Sequence, residues 1–432
     1  MNRSLALIGC ALTLAACGPK PADPSTQYGA NPQLPDPHQY LLPPMKVAKA
    51  SSWTKGETPT VAPGLKIQAL AKGLMHPRTV YVLPNGDVLV VETSGPAAPL
   101  NRPKDFIMSL VQGMAGAGAK GGNRITLLRG LRANGGAASR NTFLEGLNSP
   151  FGVALIGSDL YVADTDALLR FPYVEGATSI TAPGVKVTDL PGGPIDHHWT
   201  KSLVASPDGT KLYVGVGSNS NITENGIEAE TNRAAIWEVD RVTGAHRLFA
   251  TGLRNPTAVQ WEPQTQALWT VVNERDEIGP NLVPDYLTSV KDGAFYGWPY
   301  SYYGQHVDIR VKPQRPDLVA KAIPPDYSLS SHVAPLGLVF SAGSALPAAY
   351  QNGAFVAEHG SWDRDPFNGY KVVFIPFIAG NPSGSPQDVV TGLLDAKQKT
   401  ARGRPVGLAV DKGGGLLIAD DLGDTVWRVT PN

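Results

Sequence analysis

The hydrophobic and polar positions of this chain repeat one pattern six times. In each copy, a short apolar stretch leads to a turn rich in Gly, Asn or Asp, and a second apolar stretch follows, usually with a polar exit. The copies span residues 80–92, 151–164, 203–214, 258–272, 336–358 and 406–420. Pairs of short strands that recur at such spacing are typical of radial or stacked repeats. The pattern therefore predicts an all-β fold, a six-bladed β-propeller.

An additional strand is expected before the first repeat, because Leu65–Ala71 alternates between apolar and polar positions. In a ring of blades, an early strand can close the circle by pairing with the last blade, and we expect this strand to do so. Blades converge on one axis, so the loops at one end of that axis are the expected place for chemistry.

The N-terminus reads as an export signal. Arg3 precedes an apolar run over residues 5–14, and Leu14–Cys17 is a small-residue cleavage site that ends in cysteine. This pattern resembles the bacterial lipobox and predicts a lipoprotein signal peptide over residues 1–16, with Cys17 as the lipidated first residue. The alternative is an ordinary secretory signal with an incidental cysteine. We expect an exported protein, lipid-anchored in the bacterial envelope and facing the periplasm, with the outer membrane favoured.

Residues 17–57 are rich in proline, a composition that favours an extended tether holding the folded body away from the membrane surface. The propeller domain is then expected over residues 58–432. Lys and Arg together number 37, as do Asp and Glu, so no net field attracts nucleic acid. The only expected membrane contact is the lipid anchor.

Polar clusters lie directly before or after the predicted blade strands. His198, within Asp196–Lys201, is a candidate base, although a loop histidine is often a surface or packing feature. Arg254 and Asn255 offer a planar cationic fork and an amide. The oxygen-rich run Asn273–Glu277 suits a calcium ion, or is simply a solvated charged loop.

Arg402 and Arg404 are separated by one residue and could both bind one anion, or form a basic surface pair. Together with Gly-Leu-Arg-Asn-Pro at 252–256 and Tyr-Gly-Trp-Pro at 296–299, they carry a resemblance. Over residues 60–430 the chain resembles the soluble glucose/sorbosone dehydrogenase family, six-bladed propellers that use pyrroloquinoline quinone (PQQ) and calcium.

The resemblance implies roles for single residues. His198 would be the general base while hydride passes to PQQ, and Arg254 would stabilise the charge that develops on the quinone. The implied cofactor-binding residues are Asn255, Arg402, Arg404 and Asn219. The implied calcium ligands, mostly backbone carbonyls, fall within Glu274, Arg275 and Asp276.

Two family features are altered. An acidic residue that orients the base is replaced by Gly217-Ser218-Asn219, so Ser218 or Asn219 is expected to serve instead. A cofactor-binding lysine has no clear match, and His359 and Arg364 are candidates for its place. Trp298 and the tyrosines that follow it could line a sugar site or form packing contacts.

We therefore expect a PQQ- and calcium-dependent enzyme that oxidises a sugar and passes its electrons to a respiratory acceptor. The alternatives are a calcium-dependent propeller lactonase and a non-catalytic periplasmic propeller that binds a glycan or a protein. The arginines at 254, 402 and 404 count against the lactonase, whereas the altered partner of His198 favours the binding protein.

Overall fold

The computed structural model describes residues 19–39, 46–97, 113–114, 120–132 and 135–432. The predicted signal peptide and the lipidation site Cys17 lie outside these residues. Within them, no helix combines the length and the apolar character that a membrane crossing requires.

Six four-stranded antiparallel blades follow one another along the chain, which confirms the six-bladed β-propeller. Blade 1 comprises Pro77–Val82, Val88–Glu92, Arg124–Leu131 and Ala137–Leu144. Blade 2 comprises Gly152–Ile156, Asp159–Ala163, Ala167–Pro172 and Val185–Asp189. Blade 3 comprises Lys201–Ala205, Lys211–Val216, Ala235–Asp240 and His246–Thr251.

The remaining blades contain strands from the N-terminal part of the chain. Blade 4 comprises Pro256–Trp261, Leu268–Val272, Pro284–Ser289 and Tyr327–Ser331, extended by Tyr28–Gly29. Blade 5 comprises Pro335–Phe340, Gly353–Glu358, Lys371–Ile378 and Gln387–Thr391, extended by Thr60–Val61. Blade 6 comprises Pro405–Val410, Leu416–Asp420 and Thr425–Pro431, and Leu65–Lys72 is its outermost strand.

The six sequence repeats correspond to the two innermost strands of the six blades. Each innermost strand contacts the innermost strand of the next blade, so these strands surround the central axis. Close approach there requires small residues: a Cβ atom on Gly337 would lie 2.0 Å from the carbonyl oxygen of Val406 in blade 6. Apolar side chains packed between successive blades form the core.

The ring is closed as the sequence predicts. Leu65–Lys72 pairs antiparallel with Thr425–Pro431, so the N-terminal strand completes the last blade. Thr60–Val61 adds a second link by pairing with the outer strand of blade 5.

The N-terminal segment differs from the predicted extended tether in the described residues 19–39 and 46–57. Tyr28–Gly29 pairs with blade 4, and Lys49–Ala50 pairs in parallel with Thr400–Ala401. Gln27 is fully buried, with its side chain bonded to blade 4 residues. We call residues 19–57 the N-terminal strap. Proline has no backbone N–H to donate. Since side-chain hydrogen bonds and a few short strands hold this segment to the ring, its prolines cost few hydrogen bonds.

A few short elements complete the described structure. The short strands are Ser301–Tyr302, His306–Val307 and Asn381–Pro382. One α-helical turn, Pro316–Val319, lies in the long connection within blade 4. The 3-10 turns are Pro24–Gln27, Ile227–Glu230 and Ala348–Tyr350.

Candidate active site

The polar clusters found in the sequence all lie at one end of the propeller. Within a blade, the start of the innermost strand and the end of the second strand lie at the same end because the two strands are antiparallel. We call this the site end. Its loops include residues 195–201, 216–222, 252–256, 272–284, 358–365 and 401–405.

His198 lies just before blade 3, and its ring orientation is fixed by Ser218. Nδ1 of His198 lies 3.0 Å from the backbone carbonyl oxygen of Ser218 and 2.9 Å from the Ser218 hydroxyl. The hydroxyl donates its own hydrogen to the carbonyl of Ser220, 2.7 Å away. Both Ser218 oxygens therefore accept from the histidine, and Nδ1 must carry the proton. Nε2 keeps its lone pair and has no hydrogen-bond partner among the described residues.

The surroundings of His198 also keep its imidazole neutral. Burial lowers the pKa of His198 well below its usual value, and the positive charge of Arg254 acts in the same direction. A neutral imidazole with a free Nε2 lone pair is suited to accept a proton. Ser218 thus takes the orienting place that the sequence analysis left open between Ser218 and Asn219.

Asn219 is engaged in the structure of its own loop. Its amide nitrogen donates to the carbonyl of Ile195, and its amide oxygen accepts from Asn225 at 2.7 Å. Its backbone nitrogen donates to Glu230 at 2.6 Å. Since both ends of the side-chain amide are bonded, the structure does not favour the predicted role of Asn219 in cofactor binding.

Asn255 lies beside His198. Gly217 separates the two: a Cβ atom there would lie 2.4 Å from Cβ of His198 and 2.5 Å from Oδ1 of Asn255. Only glycine allows this approach. Oδ1 of Asn255 is buried and has no hydrogen-bond partner among the described residues. A buried amide oxygen without a donor is costly, which makes it a candidate contact for a ligand.

Arg254 is buried and points at the loop that follows the second strand of blade 4. Its Nη1 donates to the carbonyls of Asn273 at 3.2 Å and Glu274 at 2.5 Å. Its Nη2 donates to the side chain of Asn221 at 3.0 Å and lies 3.4 Å from the carboxylate of Asp276. The guanidinium is thereby held close enough to His198 to lower the pKa of that imidazole.

The two arginines before blade 6 have different surroundings. Arg402 pairs with Glu57 of the N-terminal strap at 2.7 Å, and both side chains are partly exposed. Arg404 is buried, with its guanidinium carbon 5.5 Å from the centre of the Tyr370 ring. Nε of Arg404 has no hydrogen-bond partner within the described part of the chain. Of the predicted pair, Arg404 is the one with an unpaired donor at the site end.

The predicted calcium carbonyls are largely occupied by other contacts. The carbonyl of Glu274 accepts from Arg254, and that of Arg275 accepts from the backbone of Val283. The side chain of Glu274 is buried, which raises its pKa to about 7. The guanidinium of Arg275 is buried in an ion pair with Asp308 at 2.8 Å. Neither side chain is therefore placed as a calcium ligand.

Asp276, in contrast, belongs to a group that could hold a cation. Its Oδ1 lies 3.2 Å from Nδ1 of His332, and Oδ1 of Asp363 lies 3.3 Å from the same nitrogen. Ligand atoms of these three residues lie within 4.8 Å of one another. Nε2 of His332 donates to the carbonyl of Gly279 at 3.0 Å, which orients the ring.

The sequence analysis did not identify His332 and Asp363 as partners of Asp276. They lie 56 and 87 residues further along the chain, on loops of blades 4 and 5. Their local sequences give little sign of the contact, which depends on the packing of neighbouring blades.

A second buried group lies across blades 6, 1 and 5, and the sequence analysis named only His359 among its members. The carboxylate of Asp421 contacts Nη1 of Arg78, and its Oδ2 lies 3.0 Å from Nε2 of His359 and 3.6 Å from Nε2 of His76. Burial lowers the pKa of His359 to about 4 despite the carboxylate, assisted by the charges of Arg404 and Arg78. The sixth repeat ends at Asp420, and Asp421 follows it directly. This pair of acidic residues at the end of a strand was the available sequence signal for the group.

The other predicted residues are structural. Arg364, fully buried, donates to the carbonyls of Pro280 and of Ala22 in the strap. Trp298 is buried and donates from Nε1 to the carbonyl of Asn221 at 3.1 Å. Tyr302 and Tyr303 are buried in the apolar core between blades 3 and 4. For these aromatic residues the structure favours packing over a sugar-binding surface.

Comparison with protein families agrees with this arrangement. The Glucose / Sorbosone dehydrogenase model matches residues 162–360, which include His198, Arg254 and Asn255. Over these residues, somewhat less than half of its length, the chain is similar to the glucose/sorbosone dehydrogenase family. A TrAA12-like family model matches residues 313–432, which include Arg402 and Arg404.

The curated relatives of this chain are distant. An uncharacterized protein of Borreliella burgdorferi is 26% identical over 298 residues, 67% of this chain and 77% of that protein. The pyrroloquinoline quinone-dependent pyranose dehydrogenase of Coprinopsis cinerea is 23% identical over 360 residues. That match covers 73% of this chain but only 44% of the fungal protein, so the chain spans less than half of this relative.

Solved structures support the fold. The holo form of the PQQ domain of the Coprinopsis cinerea pyranose dehydrogenase superposes with a TM-score of 0.69 at 20% identity. The match covers 89% of this chain and all of that domain. At this identity the likeness establishes a shared propeller fold.

Proposed function

We propose that this protein is a PQQ-dependent sugar dehydrogenase in which His198 is the general base. The observation that carries the proposal is the fixed tautomer of His198, with Nε2 unpaired beside the buried guanidinium of Arg254. The match to the glucose/sorbosone dehydrogenase model and the name of the Coprinopsis cinerea relative support the same chemistry.

The residues present fit a small anionic quinone. Oδ1 of Asn255 and Nε of Arg404 are buried polar atoms without partners in the described residues, and both lie at the site end. An unpaired acceptor and an unpaired cationic donor are the groups that a polar, carboxylate-bearing ligand would satisfy. PQQ, when bound, supplies the acceptor for two electrons from the sugar.

The chain's own residues then have separate tasks. Nε2 of His198 accepts the proton of the substrate hydroxyl, and Ser218 stabilises the ring orientation in which Nε2 is free. Arg254 is held by carbonyl oxygens and supplies a fixed positive charge where negative charge develops. Its N–H groups all donate to protein oxygens, so Arg254 acts through its charge and not through a direct hydrogen bond to the reacting atoms.

We also propose that a calcium ion contributes to the site. The carboxylates of Asp276 and Asp363 offer the hard oxygen ligands that calcium prefers. His332 is a softer ligand, and the carbonyls predicted from the sequence are already hydrogen-bonded. Removal of divalent ions with EGTA should reduce activity, and added calcium should restore it; activity that EGTA leaves unchanged would argue against calcium.

The substrate is proposed to be an aldose or a sorbosone-like sugar, with a respiratory acceptor receiving the electrons. The predicted lipoprotein signal supports a location in the cell envelope, facing the periplasm.

Reconstitution with PQQ tests the proposal. Purified protein mixed with PQQ and calcium should reduce a dye in the presence of aldoses. The His198→Ala variant should bind PQQ normally, while its turnover falls by about 10²–10⁴-fold. Absence of both PQQ binding and dye reduction would favour a binding propeller, and hydrolysis of a lactone would favour a lactonase.

The two arginines before blade 6 provide a matched comparison. Replacing Arg404 by Ala should weaken PQQ binding by about 1.5–3 kcal/mol, which corresponds to at least a tenfold change in Kd. Arg402→Ala should have a smaller effect, because Glu57 already neutralises that guanidinium. Titration of PQQ fluorescence measures both, and a larger loss for Arg402 would contradict this assignment.

A further inference from the structure

We propose that the site end of the propeller faces the lipid bilayer. The proposal does not depend on the enzymatic activity. It rests on the place where the N-terminal strap begins, on the short chain between that place and Cys17, and on the surface around it.

The strap is attached to the site end from its first described residues. The carbonyl of Lys20 accepts a hydrogen bond from Nδ2 of Asn281 at 2.9 Å, and the backbone nitrogen of Ala22 donates to Oδ1 of Asn281 at 2.7 Å. The buried guanidinium of Arg364 donates to the carbonyl of Ala22. Asn281 and Arg364 lie on the loops that follow the second strands of blades 4 and 5.

The remaining chain is short. Cys17 lies three residues before Lys20, and three residues span at most about 11 Å when fully extended. Cys17 itself lies outside the described residues, and its lipidation is predicted from the sequence. A diacylated Cys17 would place Lys20, and with it the loops of blades 4 and 5, within that distance of the membrane surface. The strap therefore cannot act as a spacer.

An exposed apolar side chain, Ile309, marks the surface beside this attachment. Ile309 is 71% exposed, and its neighbours in the chain pair with the loop that carries Asn281: Asp308 with Arg275 at 2.8 Å, and Arg310 with Glu277 at 3.7 Å. Single exposed apolar side chains are common on protein surfaces, so Ile309 serves as a marker of the surface beside the attachment.

Two exposed lysines lie in the segments that flank this surface. Lys312 and Lys20 are exposed near Ile309 and the start of the strap respectively. Lysines close to a membrane surface are attracted by anionic lipid headgroups. The short chain between Cys17 and Lys20 therefore brings this side of the propeller next to the bilayer, where the two lysines can contact lipid headgroups. In this orientation, an electron acceptor dissolved in the membrane would reach the site end without crossing the periplasm.

Depth-dependent fluorescence quenching tests this orientation. The sequence holds two cysteines, Cys10 in the predicted signal peptide and Cys17 at the predicted acylation site, so an introduced cysteine would be the only free thiol of the acylated protein. The Ile309→Cys and Val242→Cys variants form a matched pair, because Val242 is 77% exposed on a turn at the opposite end of blade 3. Each acylated variant is labelled with a fluorophore and reconstituted in phosphatidylethanolamine and phosphatidylglycerol vesicles that contain spin-labelled lipid.

The label at position 309 should be quenched several times more strongly than the label at position 242. Equal quenching, stronger quenching at 242, or no quenching at either position would overturn the proposal. The Cys17→Ser variant should not remain on vesicles, and a Cys17 protein that is not acylated would equally overturn it. None of these measurements requires PQQ or a sugar, so their result is independent of the proposed oxidation.

Discussion

At the residue scale, the orientation of His198 depends on Ser218, which stands where the resemblance implies an acidic residue. Ser218 accepts from Nδ1 of His198 through its carbonyl and its hydroxyl, and its hydroxyl proton is committed to Ser220. The orientation of the base is therefore kept without a negative charge beside it. Because no carboxylate opposes burial and Arg254, the pKa of His198 stays well below its usual range.

Introducing an acid at this position should move the pH dependence of the reaction. In the Ser218→Asp variant, a carboxylate next to the imidazolium would raise the pKa of His198. The acidic limb of the kcat/KM profile should therefore move to higher pH, because the base would be protonated over a wider range. The Ser218→Ala variant keeps the carbonyl contact and should leave the limb in place; an unchanged profile for Ser218→Asp would show that His198 is not the titrating base.

The sequence located the residues of the site better than it located their partners. The positions of His198, Arg254, Asn255 and Arg404 at one end of the ring follow from the repeats, because each cluster borders a predicted strand. Their hydrogen bonds could not be predicted in the same way. The pair of Arg402 with Glu57 joins residues 345 positions apart, and only the path of the strap brings them together.

At the scale of elements, the N-terminal strap is held by a buried glutamine as much as by its short strands. Nε2 of Gln27 donates to the carbonyl of Asn281 at 2.7 Å, and its Oε1 accepts from the backbone of Ser331 and from the hydroxyls of Ser331 and Ser330. The proline-rich composition predicts an extended backbone, and the segment does pair with the ring through short strands. It says nothing about whether polar side chains along that chain find partners on the ring.

Removing this amide should weaken the strap and the fold. Gln27→Ala leaves the buried groups of Asn281, Ser330 and Ser331 without their partner, at a cost of about 1–3 kcal/mol. Urea denaturation measures the loss, and limited proteolysis should show faster cleavage within residues 19–39. The exposed Gln33 provides the control, since its replacement by Ala should change stability little. Equal effects of the two substitutions would contradict a buried anchoring role for Gln27.

At the scale of the whole molecule, the ring contains buried acids that the site does not use. Glu358 ends the second strand of blade 5 and is fully buried, and neither of its carboxyl oxygens has a hydrogen-bond partner in the described residues. Burial raises the pKa of Glu358 to about 8, although the charge of Lys371 acts in the opposite direction. A carboxyl group with a raised pKa stabilises the folded state at low pH, and this contribution is lost as the pH rises through about 8.

Replacing this acid by its neutral isostere should make stability less dependent on pH. Between pH 5 and pH 8, the free energy of unfolding should fall less in the Glu358→Gln variant than in the wild type, because the variant has no proton to lose. Denaturation at the two pH values measures the difference. Replacement of the exposed Glu145 by Gln should leave the wild-type dependence unchanged, and parallel curves for wild type and Glu358→Gln would contradict the raised pKa.

The six-fold repeat predicted the architecture because each blade leaves the same local pattern of strands and turn in the sequence. Ring closure by Leu65–Lys72 was predictable for the same reason. The contacts between blades were not, since the group of Asp276, His332 and Asp363 and the group around Asp421 each join loops of different blades. Such contacts depend on how the blades are turned relative to one another, which local patterns do not record.

The most direct test of the account is a crystal structure of the protein with PQQ. The account predicts one PQQ at the site end, in contact with Arg254, Asn255 and Arg404, with Nε2 of His198 facing the position of the substrate. A quinone bound elsewhere on the propeller, or crystals soaked at saturating PQQ that show none, would contradict it.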